Sequence, residues 1–571
     1  MSATRPMIMG RNGVVASSHY LATAVGLRIL QNGGNAVDAA VAMGFALAVV
    51  RPQDNGIGGE VPMLIYSAER GKVFAISGQG TAPAAMSIER MQAQDVPIIP
   101  GDGLLPAVVP SQVATYVMAL AEFGTLPLAA VLQPAIDLAE DGFAMYPELH
   151  TAIAGLSGRF RREWPGSVAV YLPDGQVPEV GEAFRQPAWA QTFRRLIEAE
   201  RSAQSAGREA GLEAARDIFY RGEIADEIAR FAAETEVMDA SGNAHTGLLT
   251  REDLANYAPA IEEPVTVGYH GVEVCKCGPW SQGPVFLQQL RLLEGFNLKE
   301  MQHNSSAYLH TLAEAAKLAF ADRDAYYGDP GFAAIPLDRL LSKEYADERR
   351  ALIDAEAASM EHRPGLGEWT PAEAAPANTD TVHLDAVDRQ GNLVAATPSG
   401  GWIASSPVIP ALGFPLGTRG QMFSLDPAHP NSLQPGKRPR TTLSPSLVLK
   451  EGRPFLAFGT PGGDNQDQWT LQFFLNAIDF EMDLQEAIDA PTFHCDHLEP
   501  SFYPHTLRTG RLCLERRIPG KVRTQLRDLG HAITVDDDWS HGLVTAVACD
   551  LERGVFSGAA SPRGLAYAAG W

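Results

Sequence analysis

One threonine stands where the chain could expose it as a nucleophile. Thr381 opens a stretch of alternating apolar and polar residues, and it directly follows residues 356–380, which are rich in Pro, Ala and Glu. A threonine hydroxyl is a weak nucleophile, but at a chain terminus it can use its own α-amine as the base, with a pKa of roughly 7.7–8.0. A cut in an exposed linker would create that terminus. A threonine that opens a strand directly after such a linker is therefore a candidate N-terminal nucleophile for acyl transfer.

Acyl transfer also needs hydrogen-bond donors for the negative charge that develops on the carbonyl oxygen. Gly462 and Gly463 precede a predicted helix, where two backbone N–H groups without neighbouring Cβ atoms could serve, assisted by the helix dipole. The alternative is an ordinary turn before a helix, since glycine is the usual residue of turns.

The elements that must position these residues follow from periodicity. Alternation predicts a hairpin that begins at Thr381 and a second one over 446–450 and 454–459, followed by a helix from about 466 to 478. The N-terminal part predicts a helix over about 21–31 and an apolar, buried helix that starts after Asn35 and ends before Pro52. Residues 188–234 are rich in Ala, Glu and Arg and predict solvated helices.

Composition excludes several classes of protein. The chain has 571 residues and a net charge of −23, which argues against binding of nucleic acid or of anionic membranes. No signal-length or membrane-length apolar segment is apparent, so we expect a cytoplasmic protein. Cys275-x-Cys277 and the run His494-Cys495-Asp496-His497 lack the spacing of structural zinc sites. We therefore expect no metal and no cofactor.

Several long motifs resemble those of the γ-glutamyltransferase (glutathione hydrolase) family across nearly the whole chain. The most specific are Asn55-Gly56-Ile57-Gly58-Gly59, Phe123-Gly124-Thr125-Leu126-Pro127-Leu128, Glu252-Asp253-Leu254-Ala255-Asn256-Tyr257, Lys437-Arg438-Pro439 and Pro461-Gly462-Gly463. Thr381-Val382-His383-Leu384 resembles the family's nucleophile motif, which implies cleavage between Asp380 and Thr381, with Thr381 rather than Thr379 as the new N-terminus. Ser399 corresponds to a second family threonine that assists the amine.

The resemblance implies the fold and the processing of the chain. Members have an α+β, four-layer αββα Ntn-hydrolase fold and are made as precursors that cut themselves into two associated subunits. Here these would be a helix-rich large subunit, 1–380, ending in the linker, and a catalytic small subunit, 381–571. The expected partners are a small-molecule amide or peptide substrate and water or an amine as acceptor.

The pocket for the acyl group departs from the family pattern. Gln79 stands where the family has an arginine for the donor's carboxylate, and Phe423, in Gln421-Met422-Phe423, stands where it has an aspartate for the donor's amine. Thr441 and Thr442 match the family's serine pair. Because two charges are lost from one pocket, we expect the catalytic groups to be kept and a zwitterionic glutamyl group to be poorly recognised. Should such a group still be preferred, Arg419 is the first candidate for a replacement cation.

Two other functions stay open. One is an acylase or amidohydrolase that acts on a non-glutamyl amide, similar to the cephalosporin acylases or the oxamate amidohydrolase of the same fold family. The other is a processed but inactive scaffold, because Ser561 stands where the family often has aspartate and a fold does not guarantee function. The histidines His19, His383 and His494 are interpreted as structural.

Overall fold

A computed structural model describes residues 3–367, 381–505 and 507–571. Helices and strands are mixed along the chain, which confirms the predicted α+β class. The strands form two large antiparallel sheets of seven strands each, here called sheet I and sheet II.

Sheet I contains the strand that follows Thr381. In spatial order its strands are Tyr567–Gly570, Gly13–Ser17, Leu384–Asp388, Leu393–Ala396, Met63–Ser67, Lys72–Ile76 and Ile261–Glu262. The predicted hairpin is present, with Leu384 opposite Ala396 and Val387 opposite Leu393. Sheet II runs in the order Ile8–Gly10, Val555–Ala560, Thr545–Asp550, Arg453–Gly459, Ser446–Lys450, Val272–Lys276 and Val265–Tyr269, and it contains the second predicted hairpin.

Alternation along the strands places side chains in separate cores. Val14, Ala16 and Val387 of sheet I share a buried cluster with residues of sheet II that include Leu447 and Ala457. Their neighbours in sequence, such as Val15, Leu384 and Ala386, lie in another cluster with helices. Such a period of two is expected for sheets that are buried on both faces.

Helices pack on the face of sheet I that points away from sheet II. The apolar helix predicted after Asn35 is Ala36–Val50, in which every residue is buried, and a capping box of Asn35 and Asp38 fixes its start. The other helices that contribute to this core are Tyr20–Gln31, Gln112–Phe123, Leu128–Glu140, Pro147–Arg162, Pro165–Tyr171, Pro187–Ala203, Arg208–Tyr220, Glu223–Glu234 and Arg251–Asn256.

A second set of helices packs on sheet II. These are mainly Gly283–Leu293, Ser306–Tyr326 and Gln466–Ile478, the last with the bounds that the sequence predicts. The remaining regular elements are short or peripheral: the helices Ile88–Ala93, Leu298–Met301, Leu337–Leu340, Lys343–Arg350, Leu484–Asp489 and Gly520–Asp528, the sheet Phe493–Cys495, Arg511–Glu515 and Ala532–Asp536, and the ribbons Phe143–Ala144 with Ala183–Phe184 and Val237–Met238 with Ala244–His245.

The structure corrects the prediction of solvated helices over 188–234. Trp189, Phe193 and Phe219 are buried in the core that covers sheet I. These helices are amphipathic, and their polar faces account for the Glu and Arg content that suggested solvation.

The predicted exposed linker is only partly described. Residues 356–367 form no helix or strand, but they are attached to helix Ser306–Tyr326, because the Lys317 ammonium donates to the Ser359 carbonyl at 2.8 Å. Residues 368–380, with the predicted cleavage position at Asp380, lie outside the described residues. Among the described residues, no helix is both long and apolar enough to cross a membrane.

Candidate active site

Thr381 and Ser399, predicted from separate motifs, lie together at the end of the first hairpin. Thr381 is 1% exposed, and its Oγ1 is 3.1 Å from the Ser399 Oγ. The backbone fixes this approach, because the Val382 N–H donates to the Pro398 carbonyl at 3.0 Å. The structure thus brings two hydroxyl groups into hydrogen-bond contact at the head of a buried strand.

Two charged residues, Glu60 and Arg419, hold Ser399 in place. Arg419 donates from Nη2 to the Ser399 Oγ at 2.5 Å and forms a buried ion pair with Glu60. Glu60 also exchanges two backbone hydrogen bonds with Ser399, at 2.8 and 2.9 Å. Burial raises the pKa of the Glu60 carboxyl, while the charge of Arg419 acts in the opposite direction.

The sequence pointed to Arg419 only as a replacement for the charge lost from the acyl pocket. The structure places its guanidinium against the neighbouring rings of Trp402 and Phe502, whose centroids are each 5.2 Å from the guanidinium carbon. The sequence contains one weak indication that Glu60 belongs to the site, because Glu60 directly follows the motif that ends at Gly59.

His383 lies in a polar network between the sheets. Its Nδ1 is 2.9 Å from the Thr397 Oγ1 and its Nε2 is 2.9 Å from the Asp385 Oδ1. The other oxygen of Asp385 accepts a hydrogen bond from the Thr545 hydroxyl of sheet II at 2.7 Å. His383, two positions after Thr381, therefore links sheet I to sheet II through Asp385.

Gly462 and Gly463 adopt backbone conformations that favour glycine. Their φ angles are +125° and +54°, and they lead into the turn Gly463–Asn465 and helix Gln466–Ile478. A Cβ on Gly462 would lie 2.1 Å from the ring of Trp469. The strand before them ends at Gly459, against the His383 ring. Their role as oxyanion donors stays a prediction.

The residues predicted to bind the acyl group differ in how many of their polar side-chain atoms already form hydrogen bonds within the protein. Gln421 is fully used, because its amide donates to the Gly101 carbonyl at 2.9 Å and accepts from the Tyr503 N–H at 3.0 Å. Gln79 donates to the Gly80 carbonyl at 3.3 Å, whereas its Oε1 is buried without a partner among the described residues.

The remaining predicted pocket residues are Thr441, Thr442 and Phe423. Thr441 is tied by its N–H to the Trp280 carbonyl at 2.9 Å. The hydroxyl of Thr442 is buried and has no hydrogen-bond partner in the described part of the chain. Phe423 is buried in an apolar cluster and lines a cavity of about 290 Å³. The backbone therefore positions Thr441. The Thr442 hydroxyl has no hydrogen-bond partner among the described residues, and Phe423 contributes to the cavity lining.

Metal-ligating side chains converge at two places in the described residues. One group is His310, Glu314 and His531, and the other is His494, Asp496 and Cys513. Glu314 already forms an ion pair with Lys317 at 2.6 Å, and Asp496 lies 3.4 Å from the Arg511 Nε. Cations of the protein therefore already face both carboxylates, and we assign a metal to neither group.

Comparison with known proteins identifies the family. The sequence model described as Gamma-glutamyltranspeptidase matches residues 22–571. The Acylase ACY 1 proenzyme of Pseudomonas sp. (strain SE83) is 36% identical over 565 residues, which cover 96% of this chain and 92% of the relative. The Glutathione hydrolase proenzyme of Pseudomonas sp. (strain A14) is 33% identical over 510 residues, with coverage of 86% and 83%.

Solved structures give the same result over the whole chain. LmbA2991HD is 45% identical with a TM-score of 0.96, and both chains are fully covered. The cephalosporin acylase from Bacillus halodurans is 32% identical with a TM-score of 0.86, over 100% of this chain and 98% of that one. The resemblance read from the motifs is confirmed: the chain belongs to the γ-glutamyltranspeptidase family and is an enzyme of the hydrolase type found there.

Proposed function

We propose that this chain is a self-cleaving precursor that hydrolyses amides with Thr381 as its N-terminal nucleophile, in a four-layer αββα fold. The observation that carries the proposal is the contact of the Thr381 and Ser399 hydroxyls, with Ser399 held by Arg419. The layer order is supported by a buried cluster between the two sheets and by helical clusters on their other faces.

The same hydroxyl serves in maturation and in turnover. In maturation, the Thr381 Oγ attacks the carbonyl carbon of Asp380, the C–N bond breaks to leave an ester and a free α-amine, and water hydrolyses the ester. In turnover, the freed amine accepts the hydroxyl proton as the Oγ attacks the substrate carbonyl. The leaving amine departs with that proton, and water then releases the acyl group as an acid. The N–H groups of Gly462 and Gly463 stabilise the oxyanion.

The substrate we propose is an amide whose acyl group is not a zwitterionic γ-glutamyl group. Gln79 is neutral and Phe423 is apolar, so the two charges that the family pattern supplies are missing at these positions. An acylase as a relative at 36% identity, alongside a glutathione hydrolase at 33%, also favours this acylase-type activity. Hydrolysis of γ-glutamyl amides is the second candidate.

Maturation and nucleophile are tested together. Purified protein is expected to give two fragments on a denaturing gel, and N-terminal sequencing of the smaller one is expected to start at Thr381. Thr381→Ala is expected to stay uncut and inactive because the attacking hydroxyl is missing, whereas Thr381→Ser keeps a hydroxyl and is expected to cut. A different first residue, or an alanine variant with near wild-type turnover, contradicts the proposal.

The substrate class is tested on the matured enzyme with γ-glutamyl, glutaryl and butyryl p-nitroanilides. The γ-glutamyl compound is expected to be poorer than the best of the others by about 10-fold or more in kcat/KM, because an unpaired buried charge costs about 1–3 kcal/mol. A preference for γ-glutamyl would support the second candidate. Cleaved protein that turns over none of a wider amide panel would instead favour the inactive scaffold.

A further inference from the structure

The two glycines predicted as oxyanion donors are followed by an acidic residue that is firmly held. Asp464 is the middle residue of the turn Gly463–Asn465, here called the glycine turn. Its Oδ2 accepts from the Ser501 N–H at 2.9 Å, and its Oδ1 accepts from the Ser501 hydroxyl at 2.5 Å. Within the described parts of the chain, the N–H groups of Gly462 and Gly463 donate to no other residue. The side chain of the turn is thus fixed, while the N–H groups beside it stay available for an oxyanion.

Two residues from the other side of the proposed cut also hold Asp464. The Arg323 Nη1 donates to the Asp464 Oδ1 and, at 3.0 Å, to the Gln282 Oε1. The Gln282 amide donates in turn to the Asp464 carbonyl at 3.2 Å. Arg323 and Gln282 belong to the proposed large subunit, whereas Asp464 belongs to the small one. The large subunit therefore holds the residue that follows Gly463 at its carboxylate and at its carbonyl.

Arg323 has little freedom to move, because all three nitrogens of its guanidinium donate hydrogen bonds. Its Nε donates to the Asp324 Oδ1 at 2.8 Å and its Nη2 to the Glu499 carbonyl at 2.6 Å, and the side chain is fully buried. Burial opposes its charge, but Asp324 and Asp464 hold the pKa of Arg323 above its usual value. A buried charge with all its donors satisfied fixes one geometry. Arg323 therefore holds Asp464 in one orientation.

The charges of this cluster balance within the protein. Arg440 also faces Asp324 and Asp464, and the charges of both aspartates act on it. Although burial opposes it, nearby cations, Arg323 first and Arg440 among the others, hold the pKa of Asp324 below its usual value. Burial, and then the charge of Asp324, raises the pKa of the Glu499 carboxyl to about 8, so this group is mostly neutral at pH 7. Two arginines thus face two aspartates, and the cluster is an internal support rather than a site for an ion.

We propose that Arg323 is a positioning residue for the hydrolysis reaction, because it holds Asp464 and thereby keeps the N–H groups of the glycine turn directed at the developing oxyanion. The inference rests on the proposed amide-hydrolase function. Backbone donors stabilise an oxyanion only where they are preorganised, and a displacement of about 1 Å costs on the order of 10²-fold in rate. The effect of Arg323 passes through Asp464, so Arg323 is not itself a catalytic residue. The large subunit thus supports the catalytic turn of the small subunit through a side chain.

Kinetics of the matured protein test this role, with the p-nitroanilide that the wild type hydrolyses best. Arg323→Lys keeps the charge but loses the fork, and Asp464→Asn keeps the shape but loses the charge. Each is expected to lower kcat by about 10-fold or more and to leave KM within about 3-fold. The double variant is expected to lose little more than the more affected single variant, because both changes act on one contact. Arg563→Lys is the matched control, since Arg563 is 3% exposed, pairs with Glu515 and donates to the Ile488 carbonyl. Its kcat is expected to stay within about 2-fold.

Inhibition by propylboronic acid separates positioning from stability. The Thr381 Oγ bonds to boron, its proton passes to the α-amine, and the tetrahedral anion that forms places an oxygen where the oxyanion develops. The inhibition constant is expected to weaken in Arg323→Lys and Asp464→Asn by about the factor by which kcat falls, because such an adduct resembles the transition state. A purely structural arginine would lower Tm, as Arg563→Lys is expected to do, without this parallel loss.

The outcomes separate this inference from the function on which it rests. A lowered Tm with wild-type kcat, or additive losses in the double variant, overturns the positioning role and leaves the hydrolase in place. If Arg323→Lys does not fold, Asp464→Asn decides, and a wild-type kcat and inhibition constant in that variant overturn the role. Failure of the proposed function appears instead in the wild type, as a chain that is not cut before Thr381 or that hydrolyses no amide, and it overturns the role as well.

Discussion

At the scale of residues, the proposed site depends on a chain of contacts that ends at Thr381, the proposed nucleophile. Glu60 neutralises Arg419, Arg419 fixes the Ser399 hydroxyl, and Ser399 contacts Thr381. A buried arginine of this kind is costly unless it is paired and hydrogen-bonded. Since it touches Ser399 rather than Thr381, Arg419 is a positioning residue in our interpretation, with its effect carried by one hydroxyl.

That interpretation predicts coupling between Arg419 and Ser399. Arg419→Lys keeps the charge but loses the fork, and we expect kcat to fall by about 10- to 100-fold with a smaller change in KM, because a hydrogen bond to a charged group contributes about 1.5–3 kcal/mol. In the Ser399→Ala background the same substitution is expected to have little further effect. Arg563→Lys is the control, as another buried arginine that pairs with a carboxylate, Glu515. Additive losses would show that Arg419 does not act through Ser399.

At the scale of elements, the strand Arg453–Gly459 and the turn that follows it lie beside the first hairpin. The hairpin fixes Thr381 and Ser399 by backbone pairing, and the strand that ends at Gly459 reaches the His383 ring. The turn that follows holds Gly462 and Gly463 at positive φ before helix Gln466–Ile478. This turn can direct its N–H groups towards an oxyanion only if the residues at positions 462 and 463 can adopt positive φ angles.

Substitution at Gly463 tests whether the shape of that turn serves catalysis. Valine is β-branched and disfavours a φ of +54°, whereas asparagine adopts the left-handed region readily. We expect Gly463→Val to lower kcat by about 10²–10³-fold, the usual loss when an oxyanion donor is removed, and Gly463→Asn to lose less. Steady-state kinetics and Tm measurements distinguish the two variants. A folded valine variant with wild-type kcat would remove Gly463 from the site.

At the scale of the whole molecule, the proposed subunits are interleaved rather than side by side. Strand Leu384–Asp388 pairs with Gly13–Ser17, and Leu393–Ala396 pairs with Met63–Ser67, so sheet I crosses the proposed cut. Sheet II does the same through the pairing of Val272–Lys276 with Ser446–Lys450. Separation of the fragments would expose both the strand edges and the core between the sheets.

This interleaving predicts that cleavage does not release either fragment. In native buffer the matured protein is expected to elute as one species that contains both fragments, at the volume of the uncut Thr381→Ala precursor, and to unfold in a single transition. The fragments are expected to separate only in denaturant. Elution of either fragment alone under native conditions would contradict the shared sheets.

The sequence by itself determined the family, the nucleophile candidate and most of the elements around it. Helix Ala36–Val50 was predictable because its residues are apolar on every side, and helix Gln466–Ile478 because the glycine turn marks its start. Separate motifs pointed to Thr381 and Ser399, whose hydroxyls the fold brings into contact, and their roles stay predictions. Residues 188–234 were interpreted wrongly because composition hides which face of a helix is apolar, and only packing shows that face.

The tertiary structure decided which charges meet. Glu60 and Arg419 are 359 positions apart, and no local pattern records that they pair. The lost charges at Gln79 and Phe423 were visible in the sequence, but the ion pair that holds Ser399 was not. Whether a buried charge is neutralised depends on side chains that distant segments bring together. Periodicity and motif spacing describe local order, so this part of the site could only come from the fold.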